Sequence, residues 1–254
     1  MQYADHAGSL LQRSQHDGKM TDYQLASDAE PARWIVDRIG PFGVDVLSVL
    51  PAGFDRYARV FHPAHLDGQT VSWRQVAEAN GRIPHPGMQW PSITGDYRFH
   101  WRDDQPGLWD QHPAEGTIPA HLARLLATEL ARHTTTPETC WYGVWVGFGG
   151  VPVPPEAARF EIPEREMFLL RGTVTTIVDA PALDGFDQRP NLWWPDDHAW
   201  CVATEIDFMT TYVGGSVTAI AALLALPDVE IMAVPPQMRT TFDGDTVNPS
   251  PAGH

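Results

Sequence analysis

The chain has 254 residues and is acidic, with 17 lysines and arginines against 32 aspartates and glutamates and a formal net charge of −15. Its length allows one domain with a substantial core, and a hydrophobic content of 43% with ten tryptophans indicates a folded globule. Binding to nucleic acid or to an anionic membrane requires a basic patch, and the sequence has no cluster of lysines or arginines. Composition therefore argues against both partners and leaves a protein or a small neutral or cationic ligand.

The sequence also predicts a compartment and a domain organisation. The first twenty residues lack the apolar segment of a secretory signal, and no apolar run approaches the roughly 20 residues of a membrane span. Cys140 and Cys201 lie in apolar segments, as buried free thiols do, although a disulfide between them stays open. We expect a cytoplasmic protein with a flexible arm over 1–30, a single domain over 31–241 and a disordered tail over 242–254.

The first half of the chain has few regular patterns. Residues 31–39 predict a short helix that opens at a proline, and residues 45–50 and 57–61 predict strands, the second also being compatible with a helix. Residues 72–75 match a capping box at the start of a helix. Residues 82–116 have many prolines, glycines and tryptophans without a period, and such long irregular regions are either functional or mobile.

The second half reads helix, strand, strand, strand, helix, strand. The predicted elements are a helix over 119–132, strands over 140–148 and 167–178, a loop over 179–197, a strand over 200–208, a helix over 216–226 and a strand over 229–234. No helices separate the middle strands, and tight hairpin signals are absent. We therefore predict an α+β fold, a single domain with a mostly antiparallel or mixed sheet and helices packed on one face.

Two carboxylates form the best candidate site. On the predicted strand that begins at Trp200, alternate residues share a face, so Glu205 and Asp207 lie side by side with Cα atoms about 6.5–7 Å apart. Such a pair can act as acid and base on a substrate or can share a divalent cation, and Tyr212 could add a hydroxyl group. A solvated strand end, where acids are common, explains the same pair without any function.

Several aromatic residues are candidates for contact with a ligand or partner. Trp141 and Trp145 share a strand face with glycines, which leaves space where a flat ligand could stack or a helix could pack. Trp193 and Trp194 fall on the predicted loop before the acidic strand, and exposed rings are enriched at interfaces. Core packing accounts for most tryptophans in any protein, so burial is the competing explanation.

Metal and anion sites receive little support. His62 and His65 are three residues apart and could share a metal, but a proline separates them and no cysteine or glutamate ligand is near. Ser216 follows two glycines and precedes a helix, where a helix N-cap is a simpler explanation than an anion site. The sequence therefore indicates no metal centre and no cofactor.

Parts of the chain resemble known families. A family of uncharacterised actinobacterial proteins is similar over residues 50–57, 140–145, 165–172, 191–195, 200–207 and 211–216. That resemblance spans most of residues 45–226 and implies no activity. Residues 50–54, Leu-Pro-Ala-Gly-Phe, are similar to the Leu-Pro-x-aromatic signature of SUKH-type immunity proteins, which are acidic α+β modules that bind toxins. The rest of the chain departs from that second pattern, so no mechanism is transferred.

These patterns lead to two hypotheses. The first is a non-catalytic cytoplasmic binding protein with an acidic, tryptophan-rich surface formed by Trp193, Trp194, Glu205, Asp207 and Tyr212. The alternative is a hydrolase in which Glu205 and Asp207 act as acid and base or as metal ligands. Burial distinguishes them, because a catalytic pair lies in a cleft whereas a binding surface is shallow.

Overall fold

The computed structural model describes residues 22–101, 103–179, 183 and 187–252. Within them the strands are β1 (Gln24–Leu25), β2 (Arg56–Phe61), β3 (Ala64–Leu66), β4 (Gln69–Val71), β5 (Cys140–Trp145), β6 (Arg159–Ile162), β7 (Arg165–Gly172), β8 (Leu192–Pro195), β9 (Trp200–Ala203), β10 (Thr210–Gly215) and β11 (Ile231–Val234). The helices are α1 (Arg33–Val36), α2 (Trp73–Ala79), α3 (Trp90–Thr94), α4 (Arg98–Trp101), α5 (Ala120–Leu130), α6 (Thr176–Asp179) and α7 (Val217–Leu224). Single 3₁₀ turns occur at Glu30–Ala32, Val46–Ser48 and Ala131–His133.

Nine of the strands form one sheet in the order β1-β7-β5-β8-β9-β10-β2-β11, with β6 also paired to β7. Every pairing in this sheet is antiparallel. The strand β11 pairs only with β2 and so forms one edge, while β3 and β4 make a separate ribbon. The predicted α+β fold with a mostly antiparallel sheet is confirmed.

Both faces of the sheet are buried. On one face Trp193, Trp200 and Val202 pack against the apolar stripes of α5 and α7. On the opposite face Trp194 and Tyr212 pack against Ile35 of α1 and against the segment around Val46 to Leu50. Each fully buried aliphatic side chain of such a core contributes about 1.5–3 kcal/mol.

A third cluster lies under the irregular region of residues 82–116. Trp73, Trp90 and Trp109 pack in series with ring centroids 5.2 and 5.3 Å apart, and all three rings are buried. The region has little regular structure because its tryptophans, rather than a helical or strand period, supply its core. In agreement with its lack of hydrophobic periodicity, the region contains two short helices, α3 and α4, joined by turns.

Local sequence signals place several helices correctly. The hydroxyl of Ser72 accepts from the Gln75 N–H (3.1 Å) and the Gln75 side chain accepts from the Ser72 N–H (2.7 Å), which completes the predicted capping box of α2. Ser216 caps α7 by accepting from the Ala219 N–H at 3.1 Å. The stripe on α5 buries Leu122, Leu126 and Leu130 against the sheet. Among the described residues no helix has the length and apolar character needed to cross a bilayer.

The predicted strand over residues 45–50 is wrong, because this segment forms a 3₁₀ turn. The Asp45 carboxylate accepts from the Leu47 N–H at 3.0 Å, and the Ser48 hydroxyl donates to the Asp45 carbonyl. Short polar side chains of this kind compete with strand pairing by bonding to nearby backbone. The adjacent prediction, a strand over 57–61, is confirmed by β2.

The chain after residue 179 also differs from the prediction. The expected loop over 179–197 contains the buried strand β8, and the expected strand over 200–208 ends at Ala203. Residues 210–215 then return as β10, so β9 and β10 form a hairpin that the sequence did not indicate. Gly214 and Gly215 are the last two residues of β10, just before the helix α7, and a Cβ on Gly214 would overlap the Phe54 ring.

Both predicted ends of the domain extend further than expected. Residues 1–21 of the predicted arm lie outside the described residues, but β1 pairs with β7 and Tyr23 packs edge-on against Tyr142 with centroids 5.1 Å apart. At the other end, the Asn248 side chain donates to the Ile83 carbonyl and accepts from its N–H, and the Ala252 N–H donates to Gly95. These bonds order residues 242–252, for which disorder was predicted. Composition alone does not reveal that a tail binds a segment far along the chain.

The two cysteines lie on opposite faces of the sheet. Cys140 belongs to the core beneath α5, and Cys201 belongs to the core beneath α1. Both are free and buried, and burial raises the pKa of each thiol above its usual range. Buried thiols of this kind are unreactive packing groups.

One glycine holds the β9–β10 loop in place and gives a test of the fold. Gly116 has a left-handed φ of 74°, and a Cβ there would lie 2.5 Å from the Ile206 carbonyl oxygen. Gly107 has a similar φ of 78° with open space around it. We expect Gly107→Ala to lower the free energy of unfolding by about 1–2 kcal/mol, the cost of the backbone conformation alone. Gly116→Ala should cost about 2 kcal/mol more, because the loop must also move.

Urea unfolding of the two variants beside the parent protein measures both effects. Equal losses of stability in Gly107→Ala and Gly116→Ala would contradict the close approach of the loop to residue 116.

Candidate functional site

The predicted carboxylate pair lies in the loop between β9 and β10 rather than on a strand face. The Glu205 side chain turns into the protein and is 10% exposed, whereas the Asp207 side chain is 61% exposed. The loop is closed by the Asp207 N–H, which donates to the second Glu205 oxygen at 2.8 Å, and by the Phe208 N–H, which donates to the Glu205 carbonyl at 3.1 Å. The two acids are therefore close together but in different environments.

An arginine from the start of β7 neutralises Glu205 and lies near Asp207. Arg165 places Nη2 and Nε at 2.7 and 2.9 Å from the same Glu205 oxygen, and its Nη2 lies 3.5 Å from an Asp207 oxygen. The guanidinium lies between two rings, 4.5 Å from the centroid of Phe42 and 5.6 Å from that of Trp145. Attraction of the cation to the ring faces adds to the ion pair and keeps Arg165 in one orientation.

These groups border a crevice with about 410 Å³ of atom-free space that is partly open to solvent. We call it the Arg165 crevice, and it is lined by Phe42, Ser48, Val49, Trp145, Ile162, Pro163, Arg165, Met167, Asn191, Leu192, Ala203, Thr204, Glu205 and Ile206. Most of this lining is apolar or aromatic. Concave sites with apolar walls and a few fixed polar groups are typical of small-molecule binding.

The back wall of the crevice is fixed by one buried amide. The Asn191 side-chain oxygen accepts from the Trp145 N–H at 3.1 Å, and its nitrogen donates to the carbonyls of Thr204 (3.2 Å) and Gly116 (3.3 Å). One side chain thus ties β5, the β9–β10 loop and the turn at Gly116 together. The crevice is preorganised, because its walls cannot move independently.

The two carboxylates differ in how they are engaged. Both Glu205 oxygens are engaged, one by Arg165 and the other by the Asp207 N–H. A general base needs a free lone pair within hydrogen-bond reach of the substrate proton, and these contacts take up three of the roughly four acceptor positions of the Glu205 carboxylate. Asp207 has a longer contact with Arg165, at 3.5 Å, and its exposed side chain lies outside the lining of the crevice.

Most of the aromatic residues predicted for the binding surface are in the core. Trp193, Trp194 and Tyr212 are fully buried, so the expectation that the tryptophans lie on an exposed loop is wrong. They lie in strands that are covered on both faces, and neighbouring tryptophans therefore point into different cores. Trp141 is partly exposed and donates to Asp196 at 2.8 Å, away from the crevice. Trp145 is the predicted ring that the structure brings beside Glu205.

Arg165, Phe42 and Asn191 are the residues that sequence reasoning missed. Arg165 is 40 residues from Glu205 and directly follows Glu164, whose φ is 62° in the tight turn between β6 and β7. A hairpin prediction over residues 159–172 would have placed an arginine at the start of β7. No local signal indicates that this arginine meets Glu205, because the contact depends on the strand order.

A second buried polar group lies behind the loop. His62 donates through Nδ1 to the Ala114 carbonyl at 2.7 Å, and its Nε2 accepts from the Thr211 hydroxyl at 2.8 Å. Thr211 in turn lies 2.6 Å from the Thr204 hydroxyl. This arrangement fixes a neutral imidazole, and burial lowers the pKa of His62 to about 4. Both ring nitrogens are occupied, and the described residues include no group of three or more His, Cys, Asp or Glu that could hold a metal.

No protein-family model, curated protein or solved structure matches the chain. The resemblances to actinobacterial proteins and to SUKH-type immunity proteins therefore stay predictions. Function is argued from the site alone, because a fold by itself does not identify an activity.

The ion pair gives a test of the crevice. Removing one partner leaves the other charge poorly solvated, so Arg165→Met and Glu205→Gln should each lower the free energy of unfolding by about 3 kcal/mol. The double variant should be more stable than the sum of the two losses implies, with a coupling of about 2 kcal/mol in the double-mutant cycle.

The exposed pair Arg239–Asp243, whose atoms lie 3.0 Å apart, is the matched control. Its cycle, with Arg239→Met and Asp243→Asn, should give a coupling below about 1 kcal/mol because solvent screens exposed ion pairs. Equal couplings in the two cycles would show that the Arg165 pair is solvated like a surface pair.

The neutral state of His62 predicts a dependence of stability on pH. Its pKa in the folded protein is lowered from 6.5 to about 4, so the unfolded chain binds the proton more tightly. The stabilisation is complete above about pH 6.5 and is lost as the pH falls towards 4, for a total of about 3 kcal/mol. His62→Gln should lose this component, and urea unfolding from pH 7 to 4.5 measures the difference from the parent. The same slope in both proteins would contradict a buried neutral imidazole.

Proposed function

We propose that the protein is a non-catalytic binding protein whose Arg165 crevice holds a small neutral ligand with a flat apolar group. The observation that carries this proposal is the state of the two charged residues that line the crevice. Arg165 and Glu205 neutralise each other at 2.7 Å, and the remaining lining is largely apolar or aromatic. An ionic ligand would have to compete with this pair, whereas a neutral ligand leaves it intact.

The size of the crevice supports a small ligand. Its enclosed cavity volume is only about 40 Å³, far below the roughly 300–1,000 Å³ of sites that hold a whole drug-sized molecule, so it admits a single small group of a ligand. Phe42 is 42% exposed and Trp145 is half-buried, so part of each ring stays accessible beside Arg165. A protein partner could insert a single aromatic or aliphatic side chain into the same space.

The hydrolase hypothesis receives no specific support from the geometry. Acid–base catalysis would use the pair Glu205 and Asp207, but Arg165 occupies the first carboxylate and the second lies in solvent. The cytoplasmic location is part of the proposal, and it is supported by two free cysteines buried in separate cores.

The ring of Phe42 provides the test. A library of neutral aromatic fragments is screened against the protein by thermal shift, and hits are titrated by NMR. Phe42→Ala removes one wall of the crevice and one of the two rings against Arg165, while Trp145 and Glu205 still hold the guanidinium, and it should weaken a hit about tenfold. Val44→Ala is the matched control, because Val44 is a nearby exposed apolar residue outside the lining.

Hits that bind the parent and Val44→Ala equally, and Phe42→Ala more weakly, support the proposal. No neutral hit, or hits that bind Phe42→Ala as tightly as the parent, would overturn it.

A further inference from the structure

The strand β11 presents a free edge to solvent. Among the described strands it pairs with β2 alone, and the Phe61 N–H donates to the Glu230 carbonyl at 2.9 Å in the same register. Hydrogen-bonded pairs alternate along an antiparallel ladder, so Met232 and Val234 also direct their backbone groups at β2. Ile231 and Ala233 therefore direct their N–H and carbonyl groups outward, and Ala233 is exposed.

A groove runs along the start of this edge between two helical layers. It has about 1440 Å³ of atom-free space, open to solvent, and we call it the β11 groove. Its lining includes Arg74, Leu122, Leu125, Asp228, Glu230, Ile231 and Met232. One wall comes from α5 and the other from β4 and the first turn of α2, so the sheet edge itself forms the floor.

The two sides of the groove differ in chemistry. Leu122 and Leu125 make the α5 wall apolar, and Leu125 is 37% exposed although it belongs to an otherwise buried stripe. Ile231 faces the same core as α5, whereas Met232 packs on the tryptophan cluster on the other side of the sheet. A strand lying along this edge would thus find an apolar surface for every second side chain.

The groove also contains a carboxylate without a cationic partner. Glu230 accepts from the backbone N–H groups of Trp73 (2.7 Å) and Arg74 (3.1 Å). Arg74 forms its ion pair with Glu78 instead, and within the described part of the chain no arginine, lysine or histidine pairs with Glu230. Burial raises the pKa of Glu230, and the two N–H groups together with the more distant charges of Arg74 and Arg59 act against this rise. Asp228 adds a second acid to the same wall.

We propose that the β11 groove binds an extended segment of another protein, which joins the sheet as a further strand and places a lysine or arginine beside Glu230 and Asp228. Backbone bonds to Ile231 and Ala233 supply affinity, and the apolar wall and the acids select the side chains. A second copy of this chain is a poor occupant, since pairing two β11 edges brings the same acids together in a protein of net charge −15.

To test this proposal, a phage-displayed library of random 12-residue peptides is panned against the full chain. Enriched peptides should alternate apolar residues with lysine or arginine, and they are then synthesised and titrated by fluorescence anisotropy. Ala233→Pro removes an outward N–H without breaking a bond to β2, since proline is tolerated on edge strands. It should weaken binding at least about tenfold, as loss of a main-chain bond plus a misfitting ring predicts.

Two control variants separate strand addition from other effects. Ala233→Thr keeps the N–H and should bind within about twofold of the parent, since threonine suits a strand. Asp228→Asn keeps the left-handed backbone at this position, where φ is 60°, and should weaken binding about fivefold. Asp55→Asn, an exposed acid outside the groove lining, should have no effect.

The outcomes are decisive. Enriched basic peptides that bind Ala233→Thr but not Ala233→Pro support the proposal. No enrichment, or peptides that bind Ala233→Pro as tightly as the parent, would overturn it. A parent protein that forms a dimer which Ala233→Pro dissociates would assign the edge to a second copy and also overturn the proposal.

Discussion

Burial of the central sheet on both faces is the constraint that shapes the rest of the molecule. All residues of β8, β9 and β10 are buried, with α5 and α7 against one side and α1 and the residue 46–50 segment against the other. Polar chemistry can therefore lie only where this cover ends. The Arg165 crevice lies where the β9–β10 loop leaves the sheet, and the β11 groove lies at its open edge.

The same constraint explains which elements the sequence predicts. The capping box at Ser72 and the leucine stripe of α5 are local signals, and both appear where the sequence places them. The sequence does not predict the strand β8, because Leu192, Trp193 and Trp194 are all apolar. A strand covered on both faces shows no alternation of polar and apolar residues. Without β8 the adjacent hairpin is also lost, so Glu205 was expected on a strand face rather than in a loop.

The candidate site shows a different limit. Its carboxylates can be found from the sequence, but their meaning depends on Arg165, which reaches Glu205 only through the pairing of β7 with β5 and of β8 with both β5 and β9. A glutamate paired with an arginine is a neutral, rigid part of a wall, whereas an acid pair without a cation is a catalytic candidate. The residue types alone cannot distinguish these two cases, because the strand order decides which basic side chain lies beside Glu205.

The Arg165 crevice and the β11 groove differ in how their buried carboxylates are stabilised. With 32 acids against 17 lysines and arginines, at least fifteen carboxylates have no lysine or arginine partner of their own, and most can remain solvated at little cost. Glu230 differs because it is partly buried in a groove and is held by backbone N–H groups instead of a cation. Glu205, buried to a similar degree, has Arg165. The Glu205 carboxylate thus has an ion-pair partner in the Arg165 crevice. The Glu230 carboxylate has no direct ion pair at the strand edge, where a basic side chain of a bound segment would form one.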